Sequence, residues 1–600
     1  MRRSLLAALL LASALYLGLL LFRPAPLPLP DVEVHLHTPY GGQPQLSEYE
    51  RLFRAELRGD VGALQQFAKT APKSFLLYRT LLRLARTSAL PAEVRLRYLD
   101  RVLAFELISP LARDDLRRAQ LTLAQVAEEA GRKNRALEAY KEALPLAAAA
   151  TGLTRLEPDP RRLARIFLEA RDPGRALTAL RGQSAPAIRA PSHAALGDYE
   201  RALDAYNRWL ERSPGSEAAR EGKLGVLIAL GRYVPARALL GALPPNPSAD
   251  AALAEAQGDA AAALEAYLMM DSDEGRWRAA ALLEERGETP TALPLYLGLA
   301  HNPSDYQDDA AYRAYVLARR LGNSAAEAQA RARIPPFSYF GLLTGHALNV
   351  PTEPLPRVPL PVIGRSRALE RAGDDEAALG ELLVALKGSS DEATTVALAE
   401  ALQRLGEYGA STEAAASWVD RGSRARRTWR AAYPQAYRRI VRSQAALRGL
   451  EPPLIWALMR QESLFYPRAV STSEARGVMQ IVPDTWNWLA ERLGEPPADP
   501  FDVSQNIRYG TFYVSTLLST FEADLPRTAA AYNGGPGYIG GVLDEPYVDD
   551  QADFYRFIGR SETREYVQRV MLNHAVYTAL YPGDMALTEV ESDKQLKTQP

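Results

Sequence analysis

Residues 452–463 read PPLIWALMRQES, and this stretch decides how the C-terminal part of the chain is interpreted. Its prolines suit the first turn of a helix, and Leu454, Leu458 and Glu462 then recur at the i, i+4 and i+8 spacing of one helical face. The pattern therefore predicts a helix whose apolar face ends in a carboxyl group. Such a group is either paired with a cation or desolvated until its pKa rises, which is the condition that a general acid needs. Taken alone, it is more often the polar edge of an amphipathic helix.

Further motifs follow this helix in a fixed order: AVS at 469–471, GVMQIVP at 477–483, AAYNGGPG at 530–537 and ETREYV at 562–567. Together they resemble the soluble lytic murein transglycosylases, whose catalytic domain has a goose-type lysozyme fold. The resemblance covers residues 429–582, and the helical region before them is similar, more loosely, to the long amino-terminal part of the same proteins.

The resemblance implies a cleavage chemistry that relies on one carboxyl group. Glycoside cleavage ordinarily uses an acid and a second carboxylate. However, Asp484, Asp499 and Asp502 lie beside prolines or at expected turns and helix starts, where aspartate is common as a cap. In the family that the chain resembles, one glutamate protonates the scissile oxygen and then deprotonates the sugar's C6 hydroxyl, while the substrate's N-acetyl group assists. Matching the motifs makes Glu462 that catalytic residue.

The same resemblance implies which residues bind and orient the glycan: Ser471, Met479, Gln480, Tyr532, Asn533, Glu562 and Tyr566. For Met479 the alternative is core packing, because methionine often fills gaps. For Asn533, which precedes two glycines, a turn-forming role has equal weight. Where the family usually has glycine, this chain has Glu474, so a positive φ there would strain or rebuild the turn that carries Ser471.

From Leu46 to Ala416 the chain is rich in alanine, leucine and arginine with helical periodicity. A glycine turn followed by Ala-Leu and a tyrosine recurs at Gly131, Gly197, Gly258 and Gly287. Gly197 and Gly231 lie 34 residues apart, close to the period of tetratricopeptide-like helix pairs. We therefore predict an all-α protein, with an N-terminal α-solenoid of tetratricopeptide-like helix pairs followed by a mainly α lysozyme-like domain. Most of the repeated positions are explained by packing alone.

The predicted organisation follows from these patterns and from breaks in the repeat near Pro335 and after the basic stretch that ends at Arg427. The predicted segments are a signal anchor or signal peptide at 1–23, a proline-rich linker at 24–45, an α-solenoid at 46–334, a helical linker region at 335–428, a catalytic domain at 429–582 and a tail at 583–600.

The N-terminus supplies an export signal, because Arg2 and Arg3 precede an uncharged run from Leu5 to Phe22. The length of this run favours an uncleaved anchor over a cleaved peptide, which would place the rest of the chain in the extracytoplasmic cell envelope and connect it to the membrane. The absence of cysteine excludes disulfides and a thiol nucleophile, and a net charge of −1 argues against binding nucleic acid by overall charge.

Three weaker signals are not interpreted as ligand sites. Residues 535–540 satisfy GxGxxG but contain proline and follow an alanine-rich stretch instead of a strand, so dinucleotide binding is not expected. His35 and His37 lack further ligands, and residues 271–275 lack the later ligands of a calcium loop. We expect neither a metal nor a cofactor.

The predicted function is that of a peptidoglycan lytic transglycosylase whose partners are glycan strands and cell-wall proteins on the solenoid. One alternative is a muramidase of the same fold, in which water attacks in place of the C6 hydroxyl. The other is a scaffold with a catalytically inert glycan-binding domain.

Overall fold

The computed structural model describes residues 55, 58–70, 75–105, 113–544, 553–555, 558–559 and 561–584. The predicted segments at 1–23 and 24–45, with His35 and His37, lie outside these residues, as does most of the tail at 583–600. In the described part the secondary structure is helical apart from three isolated β-bridges, which confirms the predicted all-α class. None of the described helices combines the length and apolar character needed to cross a membrane.

The first described helices, up to the end of the repeats, are α1 Val61–Thr70, α2 Phe75–Arg86, α3 Ala92–Leu103, α4 Arg113–Glu129, α5 Lys133–Glu142, α6 Ala147–Leu156, α7 Pro160–Glu169, α8 Pro173–Ala179, α9 Pro186–Ala195, α10 Tyr199–Arg212, α11 Glu217–Ala229, α12 Tyr233–Leu240, α13 Pro247–Ala256, α14 Ala260–Met269, α15 Asp273–Glu285, α16 Thr289–His301, α17 Gln307–Arg320, α18 Ser324–Arg331 and α19 Tyr339–Leu343. The later ones are α20 Pro361–Arg371, α21 Asp375–Lys387, α22 Glu392–Arg404, α23 Gly409–Asp420, α24 Arg426–Ala432, α25 Arg438–Leu447, α26 Pro452–Ser463, α27 Pro483–Leu493, α28 Val503–Thr520, α29 Leu525–Gly534, α30 Pro536–Leu543 and α31 Ser561–Leu580, followed by a 3-10 turn at Pro582–Asp584.

The chain divides into two compact units that do not follow the predicted segment boundaries. The first unit comprises Met1–Ala143, Asn349–Tyr532 and Arg569–Pro600. The second comprises Leu144–Leu348 and Asn533–Gln568. The segment predicted as the catalytic domain therefore contributes residues to both units.

In the first unit, helices from the start of the chain share a core with the helices that precede the catalytic motifs. Phe75 of α2 lies so close to Gly380 of α21 that a Cβ added at Gly380 would come within 2.2 Å of the Phe75 ring. Leu81, Leu84 and Leu382 are almost completely buried in the same core. The first helices are thus part of the unit that holds the candidate catalytic helix.

The repeated motif has a consistent structural basis. The four glycines Gly131, Gly197, Gly258 and Gly287 adopt φ values of 70–75°, which allow a tight left-handed turn between paired helices. The tyrosine that follows each turn packs inward, and in three of the repeats its hydroxyl donates to a glutamate twelve residues earlier. These bonds are Tyr140 to Glu128 at 2.7 Å, Tyr267 to Glu255 at 2.6 Å and Tyr296 to Glu284 at 3.3 Å.

Candidate active site

The candidate acid lies at the end of a buried helix, as its spacing predicts. In α26 every residue from Pro452 to Met459 is buried, and the indole of Trp456 donates to the carbonyl of Ala436 at 2.8 Å. Burial therefore extends around the helix and is not limited to one apolar face. Glu462 is partly exposed in the last turn. The packed helix fixes the position of this carboxyl group while leaving it accessible.

The chain leaves this helix through an unusual turn. Leu464 and Phe465 adopt φ values of 48° and 66°, and a left-handed conformation costs about 1–2 kcal/mol for a residue with a Cβ. Ser463 holds the turn in place, because its hydroxyl donates to the carbonyl of Val478 at 2.7 Å and accepts from the amide of Phe465 at 3.1 Å. The residue after the candidate acid thus connects the helix to the GVMQIVP motif.

Residues 469–481 form a compact loop that carries three of the predicted binding residues. Bridges pair Val470 with Arg476, and Arg476 with Ile481. The hydroxyl of Ser471 accepts from the amides of Ser473 and Ala475 at 3.1 and 3.0 Å. The side-chain amide of Gln480 donates to the carbonyls of Ala469 and Gly477 at 3.0 and 2.8 Å. Ser471 and Gln480 therefore shape the loop.

A buried asparagine supports this loop from behind. Asn506 in α28 accepts from the amide of Met479 at 2.7 Å and donates to the carbonyls of Arg476 and Pro500. A Cβ at Gly477 would lie 2.3 Å from the Asn506 side chain, and a Cβ at Gly510 would lie 2.2 Å from the sulfur of Met479. Met479 is completely buried, so its side chain packs against α28, and its role in binding sugar stays a prediction.

Tyr532 connects the loop to the candidate acid. Its hydroxyl donates to the carbonyl of Met479 at 2.7 Å. Burial raises the pKa of Tyr532 well above its usual value, and the charge of Glu462 raises it further. The ring of Tyr513 lies 5.3 Å from that of Tyr532, and Trp488 lies 6.4 Å beyond Tyr513. This half-buried aromatic row starts beside the candidate acid.

The remaining predicted residues belong to the second unit. The hydroxyl of Thr563 donates to the side chain of Asn533 at 2.8 Å, which fixes the end of α29 against the start of α31. Glu562 is exposed in the first turn of α31, and Tyr566 is buried. The sugar contacts of Asn533, Glu562 and Tyr566 stay predictions.

The helix that carries Glu562 is anchored by charged residues within the second unit. The guanidinium of Arg564 lies 5.5 Å from the Trp277 ring and 3.8 Å from the carboxylate of Asp309, which also accepts from the side-chain amide of Gln568 at 3.1 Å. Buried ion pairs of this kind fix geometry even where they add little net stability.

The aspartates at 484, 499 and 502 lie at helix starts or in a turn, as their sequence context predicts. Asp502 accepts from the amide of Gln505 at 2.8 Å as the N-cap of α28, and Asp499 accepts from the amide of Phe501 at 2.9 Å. Asp484 is exposed in the first turn of α27, where a negative charge is favourable.

Sequence reasoning missed Ser463, Asn506 and Tyr513. Ser463 follows Glu462 directly, but nothing in the sequence indicates its hydrogen bond to Val478, 15 residues later. Asn506 lies in the first turns of a helix, and nothing near it indicates its hydrogen bond to Met479, 27 residues earlier. The Tyr513–Tyr532 contact spans different helices, so no local periodicity could have indicated it.

The described part of the chain thus combines tetratricopeptide-like helical repeats with a buried helix that ends at a glutamate and a compact loop beside it. Residues 439–554 match the family model of the transglycosylase SLT domain, and residues 193–259 match a tetratricopeptide repeat model. The chain therefore carries an SLT domain with tetratricopeptide-like repeats, and its homologues are lytic murein transglycosylases, which confirms the resemblance.

Two curated relatives and one solved structure illustrate the relationship. The soluble lytic murein transglycosylase of Escherichia coli is 31% identical over 150 residues, which cover 24% of this chain and 23% of that protein. The membrane-bound lytic murein transglycosylase C of Yersinia pestis is 37% identical over 115 residues, covering 17% of this chain and 32% of that protein. The matches thus span only about a quarter to a third of these relatives' lengths.

The structural likeness extends much further along the chain. The 70 kDa soluble lytic transglycosylase of Escherichia coli superposes with a TM-score of 0.58 at 17% identity, covering 90% of this chain and 98% of that one. At this identity the likeness establishes the shared fold.

Proposed function

We propose that the protein is a peptidoglycan lytic transglycosylase that cleaves the β-1,4 bond between N-acetylmuramic acid and N-acetylglucosamine and leaves a 1,6-anhydro-N-acetylmuramic acid end. The observation that carries this proposal is the position of Glu462 within the matched SLT domain. It is a partly exposed carboxyl group at the end of a buried helix, beside Tyr532 and the loop at 469–481.

The proposed chemistry uses Glu462 twice. Its carboxyl group first donates a proton to the glycosidic oxygen, so that the bond from that oxygen to C1 of the muramic acid breaks with oxocarbenium character. The C6 hydroxyl of the same sugar then attacks C1, and its proton passes to the carboxylate. No water is consumed, and the acid is regenerated for the next cycle.

The participation of a single carboxyl group is supported by the roles of its neighbours. The side chains of Asp499 and Asp502 accept backbone hydrogen bonds in a turn and a helix cap, which gives each of them a structural role. An intramolecular hydroxyl replaces the second carboxylate that glycosidases ordinarily use to activate an attacking group.

We further propose that Ser471, Met479, Gln480, Tyr532, Asn533, Glu562 and Tyr566 bind and orient the glycan. The partners are glycan strands in the extracytoplasmic envelope, with the N-terminal segment as a membrane anchor. Proteins of the cell wall would bind the solenoid.

Mass analysis of the products released from purified sacculi tests the proposal. We expect fragments with 1,6-anhydro-N-acetylmuramic acid ends from the wild-type protein and none above background from Glu462→Gln. Reducing muramic acid ends would instead establish the muramidase alternative, and glycan binding without any cleavage would establish the inert scaffold.

A further inference from the structure

Helix α4, far earlier in the chain, contacts the loop that carries Ser471. The two terminal nitrogens of the Arg117 guanidinium, Nη1 and Nη2, each lie 3.2 Å from Oε1 of Glu474. Two residues before Arg117, Asp115 accepts from Nε of Arg468 at 2.9 Å. These residues belong to the same compact unit, and more than 350 positions separate the partners in each pair.

The Asp115–Arg468 pair is the more buried of these two ion pairs. The Asp115 side chain is completely buried, and a buried carboxylate needs a cation or hydrogen-bond donors to offset the loss of hydration. Arg468 supplies that cation, and its guanidinium also lies 4.9 Å from the ring of Phe501. The start of the loop is therefore held between α4 and the segment before α28.

The Arg117–Glu474 pair gives a role to a residue with an unfavourable backbone conformation. Glu474 adopts a φ of 60°, a conformation in which glycine is the relaxed choice. Its side chain nevertheless provides the carboxylate that Arg117 contacts, and Arg117 is only 15% exposed. The strained backbone at Glu474 thus accompanies an ion pair that links the loop to α4.

We propose that Arg117 is a positioning residue, and that α4 clamps the loop at 469–481, just before its start through the Asp115–Arg468 pair and in its middle through the Arg117–Glu474 pair. The effect on glycan rests on the proposed function, whereas the effect on the loop does not. Because Glu462 is fixed separately by the buried helix α26, loosening the clamp raises KM more than it lowers kcat.

Charge reversal in the full-length protein tests the clamp. We expect Arg117→Glu to accelerate hydrogen exchange of the amides at 469–477 and to raise KM for soluble glycan strands by about fivefold, with kcat changed less than about twofold. The double variant Arg117→Glu with Glu474→Arg restores the pair in the opposite orientation, so exchange and KM return most of the way to wild type.

A matched control lies on the same helix. Glu129 of α4 pairs with Arg95 at 2.6 Å and does not belong to the clamp, so Glu129→Arg should leave exchange at 469–477 and KM unchanged. If a charge-reversal variant does not fold, Glu474→Gln keeps the side-chain shape and removes only the charge, and it should show a smaller effect in the same direction.

The outcomes separate the clamp from the function. Unchanged exchange at 469–477 in Arg117→Glu, an equal effect of Glu129→Arg, or no rescue in the double variant would overturn the clamp. If Arg117→Glu alters exchange and the double variant restores it, but the wild-type protein does not cleave glycan, the clamp is upheld and the proposed function is overturned.

Discussion

Tyrosine and glutamate meet both in the repeats and in the candidate site, but with different hydrogen bonds. In the repeats the Tyr267 hydroxyl donates directly to Glu255 at 2.6 Å. In the site the Tyr532 hydroxyl donates to the carbonyl of Met479 at 2.7 Å, although Glu462 is near enough for its charge to raise the pKa of Tyr532. In the repeat the tyrosine hydroxyl thus donates its hydrogen bond to a glutamate, whereas at the site it donates to a backbone carbonyl.

This difference shows what distinguishes a structural carboxylate from a candidate acid. A hydrogen bond donated to a carboxylate stabilises its charged form and ties it to its neighbour. The Tyr532 hydroxyl instead donates to the carbonyl of Met479, so its hydrogen bond holds the loop. Two other glutamates, Glu407 and Glu413, have pKa values raised to about 7 chiefly by burial. Glu407 is buried, and Glu413 is partly buried and accepts from the hydroxyl of Tyr466 at 3.1 Å, so a raised pKa alone does not identify the catalytic residue.

The largest expected effect is a loss of turnover when Glu462 is changed, with Glu255 as the matched residue in the repeats. We expect Glu462→Gln to remain folded and bind glycan but to lose about ten-thousandfold in turnover, because glutamine keeps the shape without a transferable proton and the same group acts in both steps. The matched Glu255→Gln should keep wild-type turnover. Release of anhydro-muropeptides from glycan strands measures both.

An outcome that contradicts this prediction is easy to recognise. A Glu462→Gln protein with more than about a tenth of the wild-type rate would place the acid elsewhere, and Glu562 and Asp502 would be the next residues to change.

The sequence allowed the fold class and the catalytic helix to be predicted because both rest on local regularities. The glycine turns recur at a helical-repeat period, and the apolar spacing of residues 452–463 gives the helix that ends with Glu462. The capping roles of Asp499 and Asp502 are equally local. For Glu474, the sequence indicated only that a positive φ would strain the turn, and the structure has that φ.

The rest depends on contacts between distant parts of the chain. Nothing near Glu474 in the sequence identifies Arg117 as its partner, and nothing near Gly380 identifies Phe75 as the ring that occupies the space of a side chain. The compact units likewise divide at Tyr532, inside a continuous helix that carries the first five residues of the AAYNGGPG motif, where no composition change marks a boundary.

A second effect concerns the dependence of stability on pH. Burial raises the pKa of Glu407 from 4.5 to about 7 in the folded protein, so folding favours the protonated form. The resulting stabilisation is complete below about pH 4.5, declines as the pH rises through 7, and amounts to about 3 kcal/mol at most. Its carboxyl group also accepts from the amide of Ala410 at 3.3 Å, a bond that glutamine can retain.

We therefore expect the thermal midpoint of the wild-type protein to fall between pH 5 and 8 and that of Glu407→Gln to fall less steeply. Glu129→Gln, at an exposed ion pair, provides the control and should leave the wild-type slope unchanged. Parallel slopes for Glu407→Gln and wild type would show that Glu407 is ionised in the folded protein at neutral pH.

The smallest effect should come from removing the two tyrosine hydroxyls, and it tests the comparison most directly. A single hydrogen bond contributes about 0.5–1.5 kcal/mol. Tyr267→Phe leaves Glu255 without its donor, so we expect a thermal midpoint a few degrees lower and unchanged kinetics. Tyr532→Phe removes the bond to the carbonyl of Met479, so we expect a comparable fall in the thermal midpoint and, in addition, a fall in kcat/KM of about tenfold. Thermal unfolding and steady-state kinetics of both variants measure these quantities. If both variants lose only stability, the Tyr532 hydroxyl has the same structural role as those of the repeats, and the distinction between the two kinds of tyrosine–glutamate neighbour is wrong.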